Sequence, residues 1–424
     1  MLNRRHFLAV LAGASLPLAR TSHAFGQQLA RRRWPSVQSL LDAEVGKRTI
    51  AGAVAALSYG EAPIAYLSAG SLALDSDRRP DENSIYRMYS TTKVVTGIAA
   101  MRLIQDGKLR LDQPVAELIP EWKSLRVAVD PQKSLESRPV RTTMTMRHLL
   151  THTSGLSYWI PSRSDLLATT YRERGITPGD YSSPRRPGFG PQVKSLSEMV
   201  ARLAELPLAT DPGTAYQYSV GYDVMGLIIE RVSGKSMAAY FREQILGPLK
   251  MTSSGFQVPA DQAARLTTNY EVSADGLIPV DVPESSVWLR PPLLAAGGGG
   301  LVSTARDFAR LTGMLLGRGT FDGAQILRED IARLACSDLL PKGVESDGGY
   351  GAGMRITKAP KPGSWQSPGT VGTLSFGGAS GCRWMVDPVR RGIMVFMTQR
   401  MPGAANLPLW NDVHAAIDAD LAHP

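Results

Sequence analysis

The chain has 424 residues, of which 43% are apolar and 20% charged, with a formal net charge of +9. That is enough chain and apolar content for a substantial core. The sequence contains no low-complexity tract or short-period repeat, which excludes solenoid, fibrous and disordered classes, and its basic residues are nowhere interleaved with aromatics as a nucleic-acid groove requires.

At the N-terminus, Asn3-Arg4-Arg5-His6-Phe7-Leu8 leads into a short apolar run ending near Ala19. The pattern reads as a twin-arginine-type export signal over residues 1–24, too short for a permanent membrane span. Ser22 and Ala24 flank His23 in the small-x-small pattern that places cleavage after Ala24. Loss of Arg4, Arg5 and Arg20 would bring the charge to +6, and the expected location is periplasmic or secreted. Arg31 to Arg33 form the densest basic cluster, expected on a solvated face.

Val37, Leu40, Leu41 and Val45 give Trp34 to Lys47 the stripe of a helix. Ile50 to Ser58 and Ile64 to Leu72, joined by Gly60-Glu61-Ala62-Pro63, read as a hairpin. At the far end, strands are expected over Gly349 to Ile356, Thr370 to Phe376, Arg383 to Val386 and Gly392 to Thr398, followed by a helix from Leu409 to Leu421. The sequence between is mostly helical in pattern. The expected class is therefore α+β in a single domain over 25–424: an antiparallel sheet from both termini (about 34–90 and 345–424), with a helical region of about 110–250 inserted. The segment Ser157 to Pro191 shows no period and is expected to be a lid or substrate flap. Cys336 and Cys382 are the only cysteines, lack metal-ligand spacing, and are expected as free buried thiols.

Ser90-Thr91-Thr92-Lys93 lies between a strand-like approach, Ile85 to Tyr89, and an amphipathic helical stretch, Val94 to Gln105, that Gly107 would cap. A serine at a helix start sits near free backbone N–H groups, and a residue three positions on points from the same face. Lys93 can thus reach the Ser90 oxygen, and burial would favour its neutral, proton-accepting form. The spacing alone carries little weight, since with eleven lysines about one S-x-x-K arises by chance.

Other serine-hydrolase plans fit poorly. No G-x-S-x-G occurs, and only His148, His152, His414 and His423 lie beyond the signal. His148 and His152 would share a helix face at i, i+4, but no glutamate lies between them as in H-E-x-x-H, so a structural role rather than a metal site is expected. Gly297 to Gly300 lacks the spacing of a phosphate cradle, and Thr304 with Asp307 reads as a helix start.

Taken in order, Met88-Tyr89-Ser90-Thr91-Thr92-Lys93, Gly107-Lys108-Leu109-Arg110-Leu111-Asp112, Arg147 to Leu156 (RHLLTHTSGL), Pro212-Gly213-Thr214, Tyr218-Ser219, the glycine run with Leu301-Val302-Ser303-Thr304, and Phe376-Gly377-Gly378 span nearly all of the chain beyond the signal. This ordered set resembles the serine β-lactamase and penicillin-binding protein superfamily, closest to the class C-like branch that includes the family VIII carboxylesterases. The resemblance implies a β-lactamase/D,D-peptidase-like fold with Ser90 as nucleophile and Lys93 as base. Tyr218 matches the tyrosine of Y-x-N, which moves protons with the lysine. Ala379 matches the position whose backbone N–H joins that of Ser90 in an oxyanion hole, with Gly377-Gly378 allowing close approach.

Two departures bear on the substrate. Val220 stands at the third position of Y-x-N, and Phe376-Gly377-Gly378 replaces K-T-G, so a side-chain amide and a carboxylate-facing lysine are both absent. An apolar pocket favours a neutral ester over a charged lactam, with Val220, Phe376, Gly377 and Gly378 as its expected lining. The expected activity is hydrolysis of carboxylic esters through an acyl-enzyme on Ser90, with a small-molecule ester or lactam as the binding partner and without cofactor or metal. A β-lactamase, a D,D-peptidase or an acyltransferase of the same chemistry, and a non-catalytic binding or sensor protein, are the alternatives.

Overall fold

The computed structural model describes residues 34–160, 163, 165–177, 190–402 and 406–422. The expected export signal, the Arg31 to Arg33 cluster, His423 and part of the 157–191 segment lie outside them. Among the described residues no helix is long and apolar enough to cross a membrane.

A seven-stranded sheet is assembled from the two ends of the chain. In chain order its strands are β1 (Gly52–Tyr59), β2 (Ala65–Gly70), β3 (Gly349–Tyr350), β4 (Arg355–Ile356), β5 (Leu374–Gly377), β6 (Arg383–Asp387) and β7 (Gly392–Met397). Their spatial order is β3-β4-β5-β6-β7-β1-β2, and every neighbouring pair is antiparallel. The antiparallel sheet built from both ends of the chain is the one expected from the sequence.

The register fixes which side chains meet which layer. Val54 pairs with Met397 and Ala55 with Phe396, and the period of two sends them to opposite faces. Ala53, Ala55, Leu57, Met394 and Phe396 pack against Val37 and Leu41 of helix α1 (Pro35–Gly46) and Trp410, Val413 and Ile417 of the last helix. Val54, Ala56, Val395 and Met397 belong to the larger core with Trp384 and Phe308. Helices thus cover both faces, which is why β7 is buried at every position. The Asp420 carboxylate accepts the N–H groups of Ser36 and Val37 at 3.0 and 3.2 Å, so the last helix caps the first turn of α1.

Helix α2 (Thr92–Gln105) departs from the amphipathic expectation. Most of it is buried on all sides, with Arg102, Ile104 and Gln105 half-exposed at its C-terminal end. Elements from both halves of the chain enclose it: a Cβ on Gly97 would stand 2.2 Å from the Ala352 carbonyl oxygen. The same packing divides the strand expected over Gly349 to Ile356. It is a hairpin of two two-residue strands, turned by Gly353 at φ +84°, where a Cβ would meet the Lys93 carbonyl at 2.2 Å. The strand expected from Thr370 begins only at Leu374, because Gly369 and Gly372 turn the chain at positive φ.

Within Ser157 to Pro191 the structure places a helix, Leu166–Glu173, whose Asp165 caps the Ala168 N–H. Its apolar stripe is too short to register as a period. Helix α3 (Gly221–Ser233) and helix α4 (Ala305–Leu316) bracket the glycine run, and Thr304 caps α4 by accepting the Asp307 N–H at 3.1 Å. The last helix, α5, is Leu407–Ala422. Both cysteines are free; Cys382 is buried, whereas Cys336 is only half-buried.

Candidate active site

The chain reaches Ser90 through a two-residue ladder between Tyr86–Arg87 and Val302–Ser303. Tyr89 then takes φ +44° and a single 3₁₀ turn, Tyr89–Thr91, leads into α2. A left-handed tyrosine is costly and needs a rigid surround. Its hydroxyl accepts from Asn269 Nδ2 at 3.1 Å and its ring meets Trp288 edge-on. The turn leaves Ser90 half-buried at the head of the helix.

Two side chains converge on the Ser90 oxygen. Tyr218 donates its hydroxyl proton at 2.8 Å, and Lys93 Nζ lies 3.4 Å away. Lys93 is completely buried. Its ammonium nitrogen donates to the Gly298 carbonyl at 2.6 Å and stands 4.6 Å from the centroid of the Tyr218 ring. Burial draws its pKa down to about 7, against the opposing pull of Asp223.

The glycine run turns out to be a backbone cradle for this lysine. Thr96, one turn along α2, donates to the Gly297 carbonyl at 2.7 Å, and the Gly298 N–H donates to Asp223 Oδ1 at 2.8 Å. That peptide is therefore bonded on both sides, which holds the next carbonyl toward Lys93. Side chains would not fit there: a Cβ on Gly297 would stand 2.3 Å from the Tyr222 carbonyl oxygen, and one on Gly298 would stand 2.7 Å from Asp223 Oδ2. Burial pushes the Asp223 carboxyl above its ordinary range, opposed by the Lys93 charge.

Tyr218 precedes α3 and is surrounded by rings. Tyr158 meets it edge-on at 5.0 Å, Phe376 stacks at 6.4 Å, and His152 lies behind it at 4.4 Å. Burial raises its phenol far above the ordinary value, so it remains protonated in the resting site. Tyr158 comes from the segment expected to be a flap. Its phenol also interacts with Ser90, and burial raises its pKa strongly.

The turn after β5 lies directly against the segment that leads to Ser90. A Cβ on Gly378 would be 2.4 Å from the Met88 carbonyl oxygen, and Ser380 Oγ donates to the Arg87 carbonyl at 2.8 Å. Between them, the half-exposed Ala379 forms no backbone hydrogen bond through its N–H among the described residues. Phe376 faces Tyr218 and Tyr350, and Gly377 gives Trp410 room to pack. Val220, expected in the substrate lining, is fully buried at the N-cap of α3 and belongs to the main apolar core instead.

The two histidines do not share a helix face. The helix Met146–Leu150 ends before His152, which has φ +56°. His148 Nδ1 instead accepts the Thr145 N–H at 3.1 Å, at the start of that helix. No group of three or more metal-ligating side chains occurs among the described residues.

The sequence profile described as Beta-lactamase matches residues 37–419. The chain belongs to the β-lactamase family. Esterase EstB of Burkholderia gladioli is 30% identical over 89% of this chain and 94% of its own length. The lovastatin esterase of a Penicillium rubens strain is 28% identical over 74% and 79%. Among solved structures, EstCE1, described as a hydrolase with promiscuous acyltransferase activity, superposes with a TM-score of 0.72 at 24% identity, covering 92% of this chain and all of that one. This β-lactamase-family chain is a serine hydrolase. Sequence reasoning overlooked Asp223, Tyr158 and Thr96 in its site. Asp223 carried a signal, being the lone charged residue in the otherwise uncharged run from Gly221 to Ile229.

Proposed function

We propose that this serine hydrolase cleaves carboxylic esters through an acyl-enzyme on Ser90, and that Lys93 and Tyr218 divide the proton work. The convergence of both groups on one serine oxygen carries the reading. The order of their proton affinities suggests the division: Lys93 is drawn down to about 7 while the phenol is pushed up. Neutral Lys93 takes the Ser90 proton as the oxygen attacks the ester carbonyl. Tyr218 then gives its proton to the departing alkoxide and regains one from the Lys93 ammonium. Water enters and repeats the sequence in reverse to release the acid. The Ser90 and Ala379 N–H groups are assigned to the carbonyl oxygen as negative charge develops on it.

Replacement of K-T-G by Phe376-Gly377-Gly378 supports neutral esters over charged lactams, as does similarity to two proteins named as esterases. An alcohol in place of water would give acyl transfer, the second activity of EstCE1. The test is turnover of p-nitrophenyl butyrate beside a chromogenic cephalosporin. Ester turnover should dominate and should fall by about 10³-fold or more in Ser90→Ala. Fast cephalosporin hydrolysis with negligible ester turnover would overturn the assignment.

The reading includes export, resting on Arg4-Arg5 and the small residues before Phe25. N-terminal sequencing of protein from the cell envelope should begin at Phe25; uncleaved protein confined to the cytoplasm would refute it.

A further inference from the structure

His152 has no place in the proton path, yet it is completely buried behind the site. Its backbone is left-handed, at φ +56°, a conformation that a residue with a Cβ keeps only where its surroundings hold it. That turn directs both halves of the residue at one stretch of chain. The His152 carbonyl accepts the Gln217 N–H at 2.7 Å. Its ring Nδ1 accepts the Ser219 N–H at 3.1 Å, with Ser219 Oγ 3.2 Å away. Residues 217 and 219 flank Tyr218, so one residue grips the backbone immediately before and after the phenol. Its ring also packs on the Tyr218 ring, centroids 4.4 Å apart and planes tilted by 41°.

The chemistry of the ring suits this task. Because Nδ1 accepts an amide proton, the ring proton resides on Nε2. Nε2 has no hydrogen-bond partner among the described residues, and the ring lies among those of Tyr216, Tyr222 and Tyr350. Burial and the nearby Lys93 charge hold the imidazole well below its ordinary range. It therefore stays neutral, with the Nδ1 lone pair available, while Lys93 titrates.

We propose that His152 is a positioning residue that fixes the Tyr218 phenol at hydrogen-bonding distance from Ser90 by bonding the chain on both sides of Tyr218 and packing on its ring. The proposal rests on the ester-hydrolase reading for the roles of Ser90 and Tyr218.

Asparagine and glutamine separate this role from mere packing. Asparagine places its Oδ1 near the position of Nδ1 and tolerates left-handed backbone, whereas glutamine carries its amide one bond further out. With p-nitrophenyl butyrate, His152→Asn should keep kcat within about threefold, and His152→Gln should lower it about tenfold or more with KM changed less than about twofold. The deciding measurement is a double-mutant cycle with Tyr218→Phe. Once the phenol is absent, His152→Gln should cost less than about twofold further in kcat. Equal losses from His152→Gln in both backgrounds, or equal kcat for the Asn and Gln variants, would overturn the proposal. Circular dichroism and thermal unfolding establish that each variant is folded; should His152→Gln fail to fold, His152→Gly, which accepts left-handed backbone and removes both the ring and its Nδ1, takes its place in the cycle with the same expectations. Absence of Ser90-dependent ester turnover in the wild type would defeat the ester-hydrolase reading instead, and the cycle is then read from the rate of fluorophosphonate labelling of Ser90.

Discussion

Arg87 and Lys93 are six residues apart, both fully buried, and each has a buried aspartate in its neighbourhood, yet the two sites are built to opposite ends. Arg87 is fully engaged. It pairs with Asp281 through Nε at 2.5 Å, and its other nitrogens reach the Thr267 carbonyl, Gln399 and Ser286. Lys93 is kept from such a pair. The Gly298 backbone stands between it and Asp223, giving a carbonyl to the lysine and an N–H to the carboxylate. A buried cation with a bonded counter-charge holds structure together. One that has a carbonyl, a serine oxygen and an aromatic face, but a carboxylate only beyond bonding contact, is driven toward its neutral form, as the proposed base requires.

Breaking the paired site should have the largest effect. Arg87→Met leaves Asp281 buried without its ionic partner and removes the donor to the Thr267 carbonyl, Gln399 Oε1 and Ser286 Oγ, so unfolding free energy should fall by about 3–5 kcal/mol. Urea unfolding at neutral pH measures it. A loss below about 1 kcal/mol would mean that the cluster is not structural in the sense argued here. Activity per folded molecule should suffer less than stability, because the Arg87 carbonyl, which anchors Ser380, is backbone and survives the substitution.

The contrast between these clusters was only partly legible in the sequence. The sheet and its flanking helices α1 and α5 follow from local periodicity, since residues such as Val54 and Ala55 must face different layers once one register is set. Ser90, Lys93 and Tyr218 were found through ordered motifs, which record geometry that spacing alone does not. What stayed hidden depends on contacts between distant segments. Nothing local tells that α2 is enclosed by Ala352 and Gly353, that Gly353 divides a strand, or that a four-glycine run exists to press its backbone against a lysine 205 positions away. The misassignment of His152 to a helix face has the same origin: its left-handed turn is imposed by the segment around Tyr218, not by its own neighbours.

The unpaired site is sharpened by changing charge without changing shape. Burial holds Lys93 near 7 and the Asp223 charge opposes that effect, so with Lys93 as the proposed base kcat/KM should rise with pH through a limb near 7 and fall as Lys93 protonates below it. Asp223→Asn keeps an oxygen for the Gly298 N–H and removes the charge that favours the ammonium. The Lys93 pKa should then drop further, and the acid limb should move to lower pH by about one unit or more. At pH 8.5, where Lys93 is neutral in both proteins, kcat/KM should agree within about threefold. At pH 6 the variant should retain the larger fraction of its own maximum. An unmoved limb would mean that the lysine does not sense Asp223. A limb displaced upward would reverse the assigned sign, in which burial lowers the Lys93 pKa and the Asp223 charge opposes it.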